Sequence, residues 1–144
     1  MLLLCSGRQR RVAHERCRAP HGKSCRAWVE RLAQCRARDE RNHSYLAENG
    51  IVAVRVDMRG SGDSEGHMSD MYCEEELNDA RHVIKWLTYQ PWCNGKIGMF
   101  GTSWGGTASL QANVNAPDAL KAIIAVCATH DRYEDDIHNM GGCL

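Results

Sequence analysis

The feature that most constrains this chain is the run Lys96-Ile97-Gly98-Met99-Phe100-Gly101-Thr102-Ser103-Trp104-Gly105. A short apolar segment leads directly into a G-x-S-x-G pattern, and a helix-forming stretch follows. Such a pattern reads as a nucleophile elbow: small residues flank a serine because the strand-to-helix turn is too tight for side chains. The turn pushes the Ser103 hydroxyl outward. It also aims the backbone N–H of Trp104, at the helix start, toward any developing oxyanion. The same string recurs at Gly62-Asp63-Ser64-Glu65-Gly66, and context separates the two. Ser64 lies in a glycine-rich loop between two carboxylates that would oppose an oxyanion, whereas Ser103 has a strand before it, a helix after it and no acidic neighbour. Ser64 is therefore expected to be a loop or capping serine. The competing reading of the Ser103 turn is a glycine-rich connection that only packs or binds a phosphate.

The surrounding pattern fits that turn. Ile51-Val52-Ala53-Val54-Arg55-Val56-Asp57 is a β-branched run bounded by Asn49-Gly50 and a glycine-rich loop, as for a buried strand. From about Glu74 to Leu87, apolar residues Leu77, Ala80, Val83, Ile84 and Leu87 recur on one helical face, with acids early and bases late. Pro91 closes that element and Asn94-Gly95 offers a turn. A helix over about 107–115, stopped by Pro117, and a buried strand over 120–128 complete the order. The expectation is an α/β fold with a parallel β-α-β-α-β core.

The chain's 144 residues allow one domain, and its net charge of zero hides a division. Residues 1–41 carry eleven of the eighteen basic residues and four of the acidic ones, a charge of +7 against −7 for the rest, and half of the eight cysteines. The segment 1–41 is left as an unassigned Arg- and Cys-rich piece, and 42–144 as a partial catalytic domain. The composition of 1–41 resembles a frame read out of register or a replacement segment. No apolar stretch is long enough for a membrane span or a signal core, so a cytoplasmic location is expected, with mostly free thiols because no C-x-x-C pair occurs.

The stretch from Tyr45 to Leu144 resembles the family of cocaine esterase-like hydrolases, alpha-amino-acid ester hydrolases and X-prolyl dipeptidyl-peptidases, which have α/β-hydrolase folds. The resemblance rests on Tyr45-Leu46-Ala47-Glu48-Asn49-Gly50 and on Asp57-Met58-Arg59-Gly60-Ser61-Gly62-Asp63-Ser64-Glu65-Gly66. It continues through Trp86-Leu87, the segment Gln90–Gly101, Lys121-Ala122-Ile123 and Asp131–Gly142. It implies a serine hydrolase cleaving an ester or a peptide/amide bond through an acyl-enzyme on Ser103. Trp104, where the family usually has tyrosine, then supplies one backbone oxyanion donor. Asp57 and Arg59 match loop positions beside the site, where a buried ion pair would fix the loop, and Gly101 and Gly105 support the turn. No metal or organic cofactor is implied.

The resemblance leaves the triad incomplete. In this fold the acid and histidine follow the serine, and after Ser103 the candidates are His130 and His138 with Asp118, Asp131, Glu134, Asp135 and Asp136. The two histidines are expected at the surface, because the family draws its acid and base from strand ends further on. A Pro-Tyr motif that would carry the second oxyanion donor is absent; the only upstream proline, Pro20, precedes His21. The chain therefore reads as a middle fragment, inactive by itself and marginally stable, with self-association through exposed sheet edges. The partner implied is a small-molecule or peptide acyl substrate, with no nucleic acid and no membrane. The alternative is a non-catalytic remnant or a binding module built on the basic N-terminal segment, with His14, Cys17, His21 and Cys25 as zinc ligands. Pro20 and Gly22 interrupt the helical spacing that would gather those four.

Overall fold

The computed structural model describes residues 2–6, 16–18, 24–26, 42–61, 64–138 and 141–143. In chain order the elements are β1 (Leu2–Ser6), β2 (Arg16–Arg18), β3 (Ser24–Arg26), a helix α1 over 42–48, β4 (Ile51–Arg55), α2 (Glu74–Thr88), β5 (Ile97–Thr102), α3 (Trp104–Asn113) and β6 (Leu120–Val126). The main sheet has the order β4-β1-β5-β6, and β2 pairs with β3 in a separate two-stranded ribbon.

The three strands read from the sequence run parallel to one another, but the sheet is mixed. β1 lies antiparallel between β4 and β5, and β5 pairs parallel with β6. This corrects the expected all-parallel core and places the start of the unassigned N-terminal piece at the centre of the sheet. The physical reason lies in the register. Leu3 stands opposite both Val54 and Met99, and Cys5 opposite both Val52 and Ile97, so two cross-strand rows share one face. Ile123 extends the first row and Leu120 the second. All of these residues belong to the core or pack against it. A one-residue slip of β1 would turn Leu3 and Cys5 to the other face, which fixes the pairing.

Helix α2 covers this face as its periodicity predicts, burying Ala80, Val83, Ile84 and Leu87, with Glu74, Glu75 and Glu76 in its first turn and Lys85 in its last. Trp92, beyond the helix, joins the same core. Next to it, Cys93 forms a disulfide with Cys5, their Cα atoms 5.9 Å apart. Cys73, Cys127 and Cys143 are free. The expectation of mostly free thiols thus misses one pair, because strand β1, which brings Cys5 beside the entry of β5, carries no local signal in the sequence.

β6 departs from the sequence reading in its environment. It was expected to be buried, yet Ile124 is 54% exposed and Val126 39%. β6 ends the sheet order, so one of its edges and much of its surface have no cover among the described residues. No helix of the described residues is long and apolar enough to cross a membrane.

Candidate active site

The site is built where β5 ends and α3 begins. Ser103 occupies the turn with φ 56 and ψ −121, a left-handed conformation that costs a non-glycine residue on the order of 1–3 kcal/mol. Two backbone bonds hold it there. The Ser103 amide donates to the Val126 carbonyl at 2.8 Å, and the Thr107 amide donates to the Ser103 carbonyl at 2.9 Å. The second bond is the first of helix α3. The N–H groups of Trp104, Gly105 and Gly106 therefore precede any intrahelical acceptor and point from the positive end of the helix.

The glycines around the turn have separate reasons. A Cβ on Gly101 would collide with the backbone carbonyl of Gly105 and lie 2.7 Å from the Gly106 nitrogen, so strand and helix approach too closely for any side chain there. Gly106 is equally constrained: its Cβ would lie 2.8 Å from the Ala128 Cβ and 2.9 Å from the Val126 carbonyl oxygen. A Cβ on Gly105 meets nothing within 4 Å. The tightness read from the G-x-S-x-G string is thus carried by Gly101 and Gly106, and Gly105 contributes the backbone that Gly101 must avoid.

Ser103 is exposed and opens into a cleft of roughly 440 Å³ lined also by Tyr72, Thr107, Arg132, Asp136 and His138. Among the described residues no side chain hydrogen-bonds the Ser103 hydroxyl. His138 is exposed, as expected for a surface histidine, but it also lines this cleft. Its amide donates to Asp136 Oδ1 at 2.9 Å. Asp136 is buried and pairs with Arg132 at 2.8 Å. Asp131 Oδ1 accepts the amides of Tyr133 and Glu134, at 2.9 and 3.1 Å. Those bonds, from Glu134 first and Tyr133 second, hold its carboxyl below the ordinary aspartate value.

The supporting loop differs in detail from its sequence reading. Arg59 makes a bidentate pair with Asp79 of α2, Nε to Oδ2 at 2.8 Å and Nη2 to Oδ1 at 2.6 Å. Both side chains are about one-third exposed, 32% and 34%, so the pair is half-buried at most. The hydrogen bond from Arg59 to Asp79 raises the guanidinium further above its usual range. The Ser64 hydroxyl donates to the Asp57 carbonyl at 2.9 Å. It thus ties the two ends of its loop, the loop role read from its context.

Two residues of the site had no signal in the sequence. Tyr72 adopts φ 60, and its ring lies tilted against that of Trp104, the centres 5.9 Å apart. Glu76 accepts the Trp104 indole N–H at 3.0 and 3.2 Å. Helical periodicity marks Glu76 only as one of three acids in a first turn. Among the described residues no cluster of His, Cys, Asp or Glu could hold a metal ion. The side chains of His14, Cys17, His21 and Cys25 lie outside the described residues.

The model of the X-Pro dipeptidyl-peptidase (S15) family matches residues 11–144, taking in residues 11–41 that the sequence reading left unassigned. Cocaine esterase of Rhodococcus sp. (strain MB1 Bresler) is 36% identical over 103 residues, 72% of this chain and 18% of its own length. A protein of Mycobacterium tuberculosis (strain CDC 1551 / Oshkosh) that carries the name of a serine esterase is 33% identical over 99 residues, 69% of this chain and 16% of its own. Xaa-Pro dipeptidyl-peptidase of Lactobacillus helveticus (strain DPC 4571) is 27% identical over 107 residues, 64% of this chain and 13% of its own. The chain spans less than one-fifth of the length of these relatives. By the extent of the family match, this chain belongs to the X-Pro dipeptidyl-peptidase (S15) family of hydrolases.

Proposed function

We propose that Ser103 is the nucleophile of a serine hydrolase with an α/β-hydrolase architecture, cleaving an ester or a peptide/amide bond through an acyl-enzyme. The observation that carries this reading is the Ser103 turn, held at φ 56 between β5 and α3 with its side chain exposed to a cleft. In the reaction the Ser103 Oγ attacks an acyl carbon, and the carbonyl oxygen takes up negative charge. The N–H of Trp104, without an acceptor inside the helix, stabilises that charge as one oxyanion donor. The names of the relatives support acyl substrates of ester or X-Pro peptide type. A base for the hydroxyl proton and an acid to orient it are required. We place neither among the described residues, since nothing there hydrogen-bonds the Ser103 hydroxyl, and the chain by itself is expected not to turn over.

The test is exposure of the whole chain to an alkyl fluorophosphonate. Ser103 Oγ bonds to phosphorus, the P–F bond breaks, and the hydroxyl proton leaves to solvent with fluoride. Slow modification of one residue, mapped to Ser103 and lost in Ser103→Ala, is expected, with no turnover of a nitrophenyl ester. Modification of Ser64, or equal modification of the Ser103→Ala chain, overturns the assignment.

A further inference from the structure

We infer that Glu76 is a positioning residue for the Ser103 cleft, fixing Tyr72, which lines that cleft, and the Trp104 ring packed against Tyr72. This deepens the reading of Ser103 as the nucleophile and rests on it where reactivity is concerned.

Glu76 closes the acidic first turn of α2, at the positive end of the helix dipole. Its two neighbours have surface partners: Glu74 pairs with Arg81 at 3.2 Å, and Glu75 accepts the Ser69 hydroxyl at 2.9 Å. Glu76 instead accepts from Tyr72, which lines the cleft, and from Trp104, whose ring contacts that of Tyr72. Both of its oxygens receive the indole N–H of Trp104, at 3.0 and 3.2 Å, and Oε2 also receives the backbone N–H of Tyr72 at 2.9 Å. Charge-assisted bonds of this kind are roughly twice as strong as neutral ones.

What the carboxylate holds is strained and close to the chemistry. Tyr72 has φ 60, a conformation that persists only when its surroundings enforce it. Its ring packs on Trp104 at one side and carries the Arg132 guanidinium 4.4 Å from its centre. Arg132 is anchored in turn to buried Asp136. Tyr72, Arg132 and Asp136 line the cleft into which Ser103 opens. Glu76 and Trp104 line a different space, a mainly apolar cavity of roughly 170 Å³. Glu76 thus reaches the cleft only through the two aromatic residues, and one of these is the residue whose amide faces the oxyanion.

The experiment uses the full chain with Glu76→Ala, Glu76→Gln and Trp104→Phe. The Trp104 indole resonance is identified by its loss in Trp104→Phe. In Glu76→Ala its N–H and the Tyr72 amide are expected to exchange with deuterium at least tenfold faster, and Glu76→Gln, keeping one acceptor oxygen, falls between. Fluorophosphonate labelling is resolved into binding (KI) and bond formation (kinact). Glu76→Ala is expected to raise KI about tenfold with kinact changed less than threefold, whereas loss of folded protein would scale the whole labelled amount. Unchanged exchange of both N–H groups, or labelling reduced only in proportion to the folded fraction, overturns the inference. If the unmutated chain is not labelled at Ser103, the nucleophile reading fails, and the exchange rates alone then decide whether Glu76 holds Tyr72 and Trp104.

Discussion

The amide of Ser103 donates to the carbonyl of Val126 at 2.8 Å, so the Ser103 turn is anchored to the end of the neighbouring parallel strand. The turn then depends on β5, α3 and β6 lying within backbone contact of one another, and the glycines decide whether they can. Gly101→Ala is expected to cost at least about 2 kcal/mol, because its Cβ collides with backbone rather than with a side chain that could rotate away. Gly105→Ala, with open space around its Cβ, is expected to stay within about 1 kcal/mol of the parent and to favour the helix. Urea unfolding of the two variants checks the contrast, and equal destabilisation would contradict it.

The Cys5–Cys93 disulfide spans 88 residues of sequence and ties the central antiparallel strand to the entry of β5. Closing a loop of that length removes roughly 4 to 5 kcal/mol of unfolded-chain entropy in the chain-entropy model. Cys93→Ser is expected to lower stability by about 2 to 5 kcal/mol. Mass spectrometry of alkylated peptides, with and without reductant, checks the pairing first. A Cys5 that alkylates fully without reductant would refute it.

The Arg59–Asp79 pair has bidentate geometry but is one-third exposed on both sides, and solvent screening limits what it contributes. A double-mutant cycle with Arg59→Met and Asp79→Asn is expected to give a coupling of about 1 kcal/mol that shrinks as salt is raised. A coupling that is insensitive to salt would show that the pair acts through packing.

The Asp131 carboxyl lies below its ordinary value because it accepts the amides of Glu134 and Tyr133. A folded-state value below the unfolded one means that the group stabilises the fold above the unfolded value. That contribution is lost as pH falls through the folded value. Acid unfolding of Asp131→Ala is therefore expected to depend less steeply on pH than that of the parent below the ordinary aspartate range. Carboxyl NMR titration of Asp131 locates its midpoint, and a midpoint at or above the ordinary value would remove the basis of this prediction.

His138 lines the cleft, but among the described residues no hydrogen bond joins it to the Ser103 hydroxyl. Fluorophosphonate labelling of His138→Gln is expected within about twofold of the parent rate, since a residue that is not the base contributes no proton transfer. Loss of labelling in a variant that remains folded would make His138 the base.

The periodicities of Ile51–Asp57, Glu74–Leu87, Lys96–Phe100 and Leu120–Ala128 located α2 and three strands within a few residues, because apolar spacing is a local consequence of one covered face. The Ser103 turn was legible for the same reason: a strand, two glycines and a helix start lie adjacent in the chain. Leu2–Ser6 was not legible as the central strand. Five residues carry too little periodicity, and their place is set by the rows they complete beside Val52, Val54, Ile97 and Met99. The Cys5–Cys93 pair, the Arg59–Asp79 bridge and the hold of Glu76 on Trp104 join residues 20 to 88 positions apart. Each depends on where side chains meet once α2 packs across the sheet. The sequence alone therefore determined the elements and the candidate nucleophile, whereas the tertiary structure decided the strand order and the wall of the cleft, since hydrogen-bonded partners distant in sequence leave no local pattern.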